Sequence, residues 1–258
     1  DDGITNVAWN WKANGGTTTT NDASATGVGS QDSVYQANTT AGFSIVTYTG
    51  TGANATFAHG VQVNGVATAP RMIIMKRRDS AQNWVVYHTE VGNTRQTFLN
   101  LTNAQTGENS VYFNNTSPTS TVFSLGSDDY ANASSGTYVA YCFAEVEGYS
   151  KFGSYTGNGS TDGTFVYTGF RPAWIMVKRS NTTGNWIIQD SARDTSNVGE
   201  RWLFADSATS EATGSSRYYD FVSNGIKFRN GGTGVNNSGS TYIYMAFAEV
   251  PFKYSLAR

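Results

Sequence analysis

Four stretches of this chain occur twice in the same order, and that repetition limits the fold more than any single motif does. "YTGTG" at Tyr48–Gly52 returns as "YTGNG" at Tyr155–Gly159, and "PRMIIMKR" at Pro70–Arg77 as "PAWIMVKR" at Pro172–Arg179. "NWVVYH" at Asn83–His88 returns as "NWIIQD" at Asn185–Asp190, and "TYVAYCFAEV" at Thr137–Val146 as "TYIYMAFAEV" at Thr241–Val250. The spacing is roughly 105 residues throughout, a domain-sized period. The pattern predicts a tandem duplication: an arm over 1–41, one unit over 42–148 and a second over 149–258. The junction "EVEGYSKFGSYTG" carries no linker, so the units are expected to be closely coupled.

Each repeated block reads as a β-strand. "RMIIMKR" and "AWIMVKR" are short apolar runs opened by a proline, where a strand tolerates one, and closed by a basic pair. The "NW" blocks follow after polar turns, as in a hairpin. No 3.6-residue period persists over a helix-length window, so the expected class is all-β, two tandem sandwiches. The composition agrees. Charged residues are only 14%, yet aromatics are also 14%, which sets the chain apart from a disordered one and suits many short strands joined by Gly/Ser/Thr/Asn turns. The stretch 1–41 cannot bury enough apolar area to fold alone and reads as an arm whose "AWNW" docks on a neighbouring domain or chain.

A formal net charge of -2 argues against nucleic acid as a partner. The single cysteine, Cys142, leaves no disulfide and no Cys-based zinc site, and two histidines leave little for a metal centre. No apolar run is long enough for a membrane span. Neither a metal nor a cofactor is expected.

Catalytic patterns are sparse. No GxSxG elbow is present, His88 aligns with Asp190, and Cys142 aligns with Ala246, so the repeats share neither base nor thiol. Glu145 and Glu249 are the acids repeated in matched context, each at the end of an apolar strand face. A carboxylate there needs a partner. The recurring basic pairs Lys76-Arg77 and Lys178-Arg179 supply one, so the expectation is a structural tie of Glu145 to Lys76 or Arg77 and of Glu249 to Lys178 or Arg179. Adjacent acids in "SDDY" at Ser127–Tyr130 read as a solvated turn rather than a cation site. For ligand binding, Trp84 and Trp186 could stack on a sugar but are expected to fill the core, since matched positions mark packing. The less symmetrical aromatics Tyr130, Tyr218 and Tyr219 are the better binding candidates.

"GFSIVTYTGTG", "NTSPTSTVFSLG", the long phrase from "TYVAYCFAEV" to "PAWIMVKR" and the ending "TYIYMAFAEVPFKYSLAR" together resemble the duplicated C-terminal region of marine bacteriophage tail-fibre and appendage proteins, over residues 42–258. The resemblance implies a virion location, a lectin-like β-sandwich of the jelly-roll kind, and assembly as a homo-oligomer (a trimer in fibres) beside other virion proteins. It also implies a non-enzymatic role in attachment to a host-surface glycan. The alternatives are a purely structural decoration or fibre subunit and, from another class, a polysaccharide-degrading enzyme. On this reading "PFKYSLAR" is a C-terminus and Asp1 the start of a fragment.

Overall fold

The computed structural model describes residues 6–249 and is almost entirely β. "PFKYSLAR" lies outside the described residues. The first half runs through β1 (Thr19–Asn21), a one-turn helix α1 (Ala23–Thr26), β2 (Ser33–Asn38), β3 (Phe43–Thr49) and β4 (Ala55–Ala58). A small hairpin, β5 (Gln62–Val63) and β6 (Val66–Ala67), precedes β7 (Met72–Arg77), β8 (Val85–His88) and β9 (Thr97–Phe98). The one-turn α2 (Ser110–Phe113), β10 (Val122–Leu125), the one-turn α3 (Asp129–Asn132) and β11 (Thr137–Phe143) complete it. The second half holds β12 (Ser150–Thr156), β13 (Phe165–Tyr167), β14 (Trp174–Arg179), β15 (Trp186–Asp190) and β16 (Arg201–Phe204). These are followed by β17 (Ala212–Thr213), β18 (Tyr219–Val222), β19 (Gly225–Phe228) and β20 (Thr241–Phe247).

All the ladders between these strands are antiparallel. The large sheet of the first half has the order β1-β2-β3-β11-β7-β8-β9, and that of the second β12-β20-β14-β15-β16-β17. Removing β1 and β2 leaves the same order of matched strands up to β9 and β16. Each large sheet is covered on its outer face by a small one, β10-β4 in the first half and β13-β19-β18 in the second.

The two large sheets also pack on each other, giving four layers and three cores. One face of β11 puts Tyr138, Ala140 and Cys142 into the first sandwich with Phe57, Phe123 and Leu125. One face of β20 puts Tyr242, Tyr244 and Ala246 into the second with Val166, Ile226 and Phe228. Their opposite faces, with Phe143, Ile243, Met245 and Phe247, meet between the sheets beside Met72, Ile74, Trp174 and Trp186. Strands buried on both faces are apolar at most positions, which is why these blocks read as hydrophobic runs. The central core is also tied by polar bonds: the His88 Nε2–H donates to the Tyr244 carbonyl (3.1 Å), Trp186 Nε1–H to the Phe98 carbonyl (2.8 Å), and Lys178 Nζ to the Thr102 carbonyl (2.8 Å).

The stretch expected to be an arm that docks through "AWNW" does dock there, and it also contributes a strand. Residues 33–38 add a full strand to β3, and Trp9 and Trp11 pack against the central core, with Trp11 edge-on to Phe143, Trp174 and Phe247 at 5.4–6.0 Å. The segment cannot fold alone, but a sheet edge and an aromatic cleft supply the partners it lacks.

Matched loops close both sandwiches in the same way. Tyr48 stacks on Tyr138 (5.1 Å) and Tyr155 on Tyr242 (5.0 Å). After each first tyrosine the chain passes so close to the facing loop that a Cβ on Gly50 or Gly157 would lie 2.3 Å from a backbone oxygen. Gly52 and Gly159 then take φ of +69° and +70°. The "YTGxG" phrase is thus a close-packed turn.

Candidate functional site

The clearest candidate is a cleft of about 460 Å³ in the first half, lined by Gln82, Val111, Ser127, Asp128, Asp129 and Tyr130. Its wall is the turn from β10 into α3, and three buried groups hold that turn. Asn132, fully buried, donates through Nδ2 to the carbonyls of Gly126 (2.6 Å) and Ala53 (2.7 Å) and accepts from Thr51 N–H (2.9 Å). Tyr138 donates to the Asp129 carbonyl (2.9 Å) and accepts from Ala133 N–H (2.8 Å), while Tyr48 donates to the Ala131 carbonyl (2.8 Å). The Asp128 and Gly126 amides bond to the Val111 and Tyr112 carbonyls. The loop is therefore rigidly mounted.

Its polar groups remain available. Asp128 occupies the N-cap of α3 yet makes no side-chain capping bond; its Oδ2 accepts from Gln96 Nε2 (3.0 Å). Burial raises its pKa above the ordinary carboxylate range, against the opposing pull of Gln96 and the Tyr130 amide. Asp129 is exposed, and among the described residues no donor bonds its carboxylate. Tyr130 rests edge-on against Phe98 (5.3 Å), half-buried, and its hydroxyl has no described partner. Two carboxylates, an amide, a hydroxyl and an aromatic edge on a fixed frame can hydrogen-bond vicinal hydroxyls of a sugar while covering its apolar face.

A larger cleft of about 680 Å³, between Asn6 and Val7 of the N-terminal segment and Arg193, Arg201 and Glu211 of the second half, has its charges already paired. Arg193 holds Asp190 (2.6 Å) and Glu211 (2.8 Å), and Arg201 holds Glu211 (3.2 Å). Among the described residues no group of three or more His, Cys, Asp or Glu could hold a metal ion, and no helix is long and apolar enough to cross a membrane.

The expected ion pairs are not formed. Antiparallel pairing sets Val139 opposite Lys76 and Ile243 opposite Lys178, six positions from Glu145 and Glu249, so ~20 Å of strand separates them. Glu145 instead pairs with Lys151 (2.6 Å), and Glu249 is exposed. Lys76 caps the Gln82 carbonyl and lies 6.0 Å from the Trp84 ring; Arg77 pairs with Asp79 (2.7 Å). Lys178 is fully buried on the Thr102 and Gly184 carbonyls, and Arg179 caps the Thr183 carbonyl. Burial pushes the Lys178 pKa down to about 8.

Among the aromatic candidates, Tyr130 alone lines a described cleft. Tyr219 is a core residue whose hydroxyl donates to Asp194 (3.0 Å), and Tyr218 is half-buried with its carbonyl taken by Arg229 and Asn230. Trp186 is buried in the central core, as expected of a matched position; Trp84 is half-buried and stacks on Tyr141 (6.4 Å). Sequence reasoning missed Asn132 and its counterpart Asn236, although "YANASSGTY" and "GVNNSGSTY" place an Asn at the same distance before each repeated Thr-Tyr. It also passed over Phe165 and Tyr167, which are 44% and 62% exposed.

Fold and cleft together define an all-β chain of two stacked sandwiches with a polar loop site. A family profile described as a domain of unknown function, DUF7483, matches residues 1–251, and the chain belongs to that family. No curated protein and no solved structure matches it.

Proposed function

We propose that this chain is a non-enzymatic recognition module of a bacteriophage appendage, exposed on the virion, that holds a host-surface glycan in the Asp128–Tyr130 cleft. One observation carries the reading: a rigidly held loop presents an exposed acid, Asp129, that no described group bonds, beside Asp128 and an aromatic ring. The Asp129 carboxylate, exposed and unbonded among the described residues on a turn stiffened from behind, suits hydrogen bonding to sugar hydroxyls. The appendage setting rests on the likeness of the repeated phrases to phage fibre proteins. The same reading takes the two halves as copies of one ancestral unit, supported by their shared strand order and matched Asn and Tyr clasps.

Glycan arrays or affinity electrophoresis with host surface polysaccharide test this. Asp129→Ala and Tyr130→Ala should each weaken binding on the order of tenfold, about 1.4 kcal/mol, with unfolding midpoints unchanged for Asp129→Ala. Wild-type binding that both variants retain would overturn the cleft assignment. Release of reducing ends from the polysaccharide would favour a degrading enzyme instead. The second reading, a purely structural decoration or fibre subunit, is favoured by the open sheet edge of the second half. Locating the protein on particles and comparing adsorption with and without it separates the two.

A further inference from the structure

The two halves differ in one respect that their shared strand order makes visible. In the first half, residues 28–38 close both layers along one side. Gln36 and Val34 pair with Ile45 and Thr47 of β3, and the amides of Ser30 and Gln31 bond the Thr56 carbonyl of β4 (3.0 and 3.2 Å). The strand matching β3 in the second half is β12, and it ends its sheet.

The direction of its free groups follows from the flanking bonds. Ala248 N–H donates to the Tyr149 carbonyl (2.7 Å) and Gly157 N–H to the Ser240 carbonyl (2.9 Å), so Lys151, Gly153 and Tyr155 exchange bonds with β20. Phe152 and Ser154 therefore aim N–H and C=O outward, and no described group bonds them. These are the counterparts of Ile45 and Thr47. The outer layer repeats the pattern: Phe228 N–H donates to the Thr164 carbonyl (3.1 Å), which turns the backbone groups of Phe165 and Tyr167 to the open side of β13. Their side chains are the exposed large aromatics of the described chain. What residues 28–38 do for the first half, nothing described does for the second.

We propose that this side is the docking surface for a second copy of the chain, whose own β12 adds antiparallel to it. An antiparallel edge is complementary to itself. With Gly153 on the twofold axis, Phe152 of each copy faces Ser154 of the other, and both outward pairs exchange their bonds. Gly153 then sits where the strands come closest and brings no side chain. Phe165 and Tyr167 lie along the same side, where the incoming copy covers them. The inference does not depend on the glycan reading, since the cleft is in the other half.

The test is the mass of the full chain in solution across a concentration series, by sedimentation or light scattering. Wild type should form dimers. Ser154→Pro removes the outward N–H while leaving the bonds of Gly153 and Tyr155 to β20, and it should raise the dimer dissociation constant on the order of tenfold or more. Tyr167→Ser, on the rim, should weaken the dimer severalfold. Hydrogen exchange on wild type gives a readout that needs no variant: the Phe152 and Ser154 amides should gain protection as concentration rises. A monomeric wild type, an assembly whose mass Ser154→Pro leaves unchanged, or a monomer that captures a peptide of residues 28–38 on β12 would each overturn it.

Discussion

Two buried histidines are kept neutral by their surroundings. His59 donates through Nε2 to the Thr119 carbonyl (3.1 Å) and accepts from Val61 N–H (3.0 Å); His88 does the same between Tyr244 and Glu90. Desolvation lowers the pKa of each from 6.5 to about 4. The unfolded chain binds protons below pH 6.5 that the folded chain refuses, so stability falls as pH drops from 6.5 towards 4. Unfolding free energies from denaturant titrations should decline between pH 7 and 4.5 by about 2 kcal/mol per histidine, and His88→Gln should flatten the slope. Asn236 is the other pressure point. Its Nδ2 reaches Asn158 Oδ1, the Ser160 carbonyl and the Asn230 carbonyl at 2.8–3.0 Å, and its Oδ1 accepts from Asn158 N–H. Asn236→Ala should cost about 2–4 kcal/mol in urea unfolding, because it strands several buried partners at once.

At the scale of elements, strand existence is legible in the sequence and strand direction is not. "RMIIMKR" and "TYVAYCFAEV" declare themselves as strands because both faces are buried. The expected ties of Glu145 to Lys76 or Arg77 and of Glu249 to Lys178 or Arg179 fail because the hydrogen-bonded neighbours run antiparallel, which sends the two ends of the blocks apart. Loop geometry was legible only in part: "SDDY" read as a solvated turn because nothing in four residues reveals that Asn132 and Tyr138 mount it from behind. Residues 1–41 read as an arm whose "AWNW" docks on a neighbouring domain or chain, and Trp9 and Trp11 do dock, on partners far along the chain that the sequence does not name. Trp11→Ala should lower stability by about 2–4 kcal/mol, measurable as a lower melting temperature, with the strand content of the circular dichroism spectrum retained.

For the whole molecule, the shared central core decides how it unfolds. Phe143 and Met72 from one half interleave with Trp174 and Phe247 from the other, and Lys178, His88 and Trp186 bond across. Each half alone would present a broad apolar sheet face to water. Heating or urea should give one transition, coincident by tryptophan fluorescence and circular dichroism, and residues 149–249 expressed alone should aggregate or fail to show it.

The seat of Trp11 is assembled from Phe143, Trp174 and Phe247. On a ribosome, Trp11 emerges more than two hundred residues before the last of these. Its resting place does not yet exist, and it must wait, solvent-exposed or held by a chaperone, until β20 has been made. Trp11 is thus translated long before its seat is complete, and its burial marks the completion of the other layers.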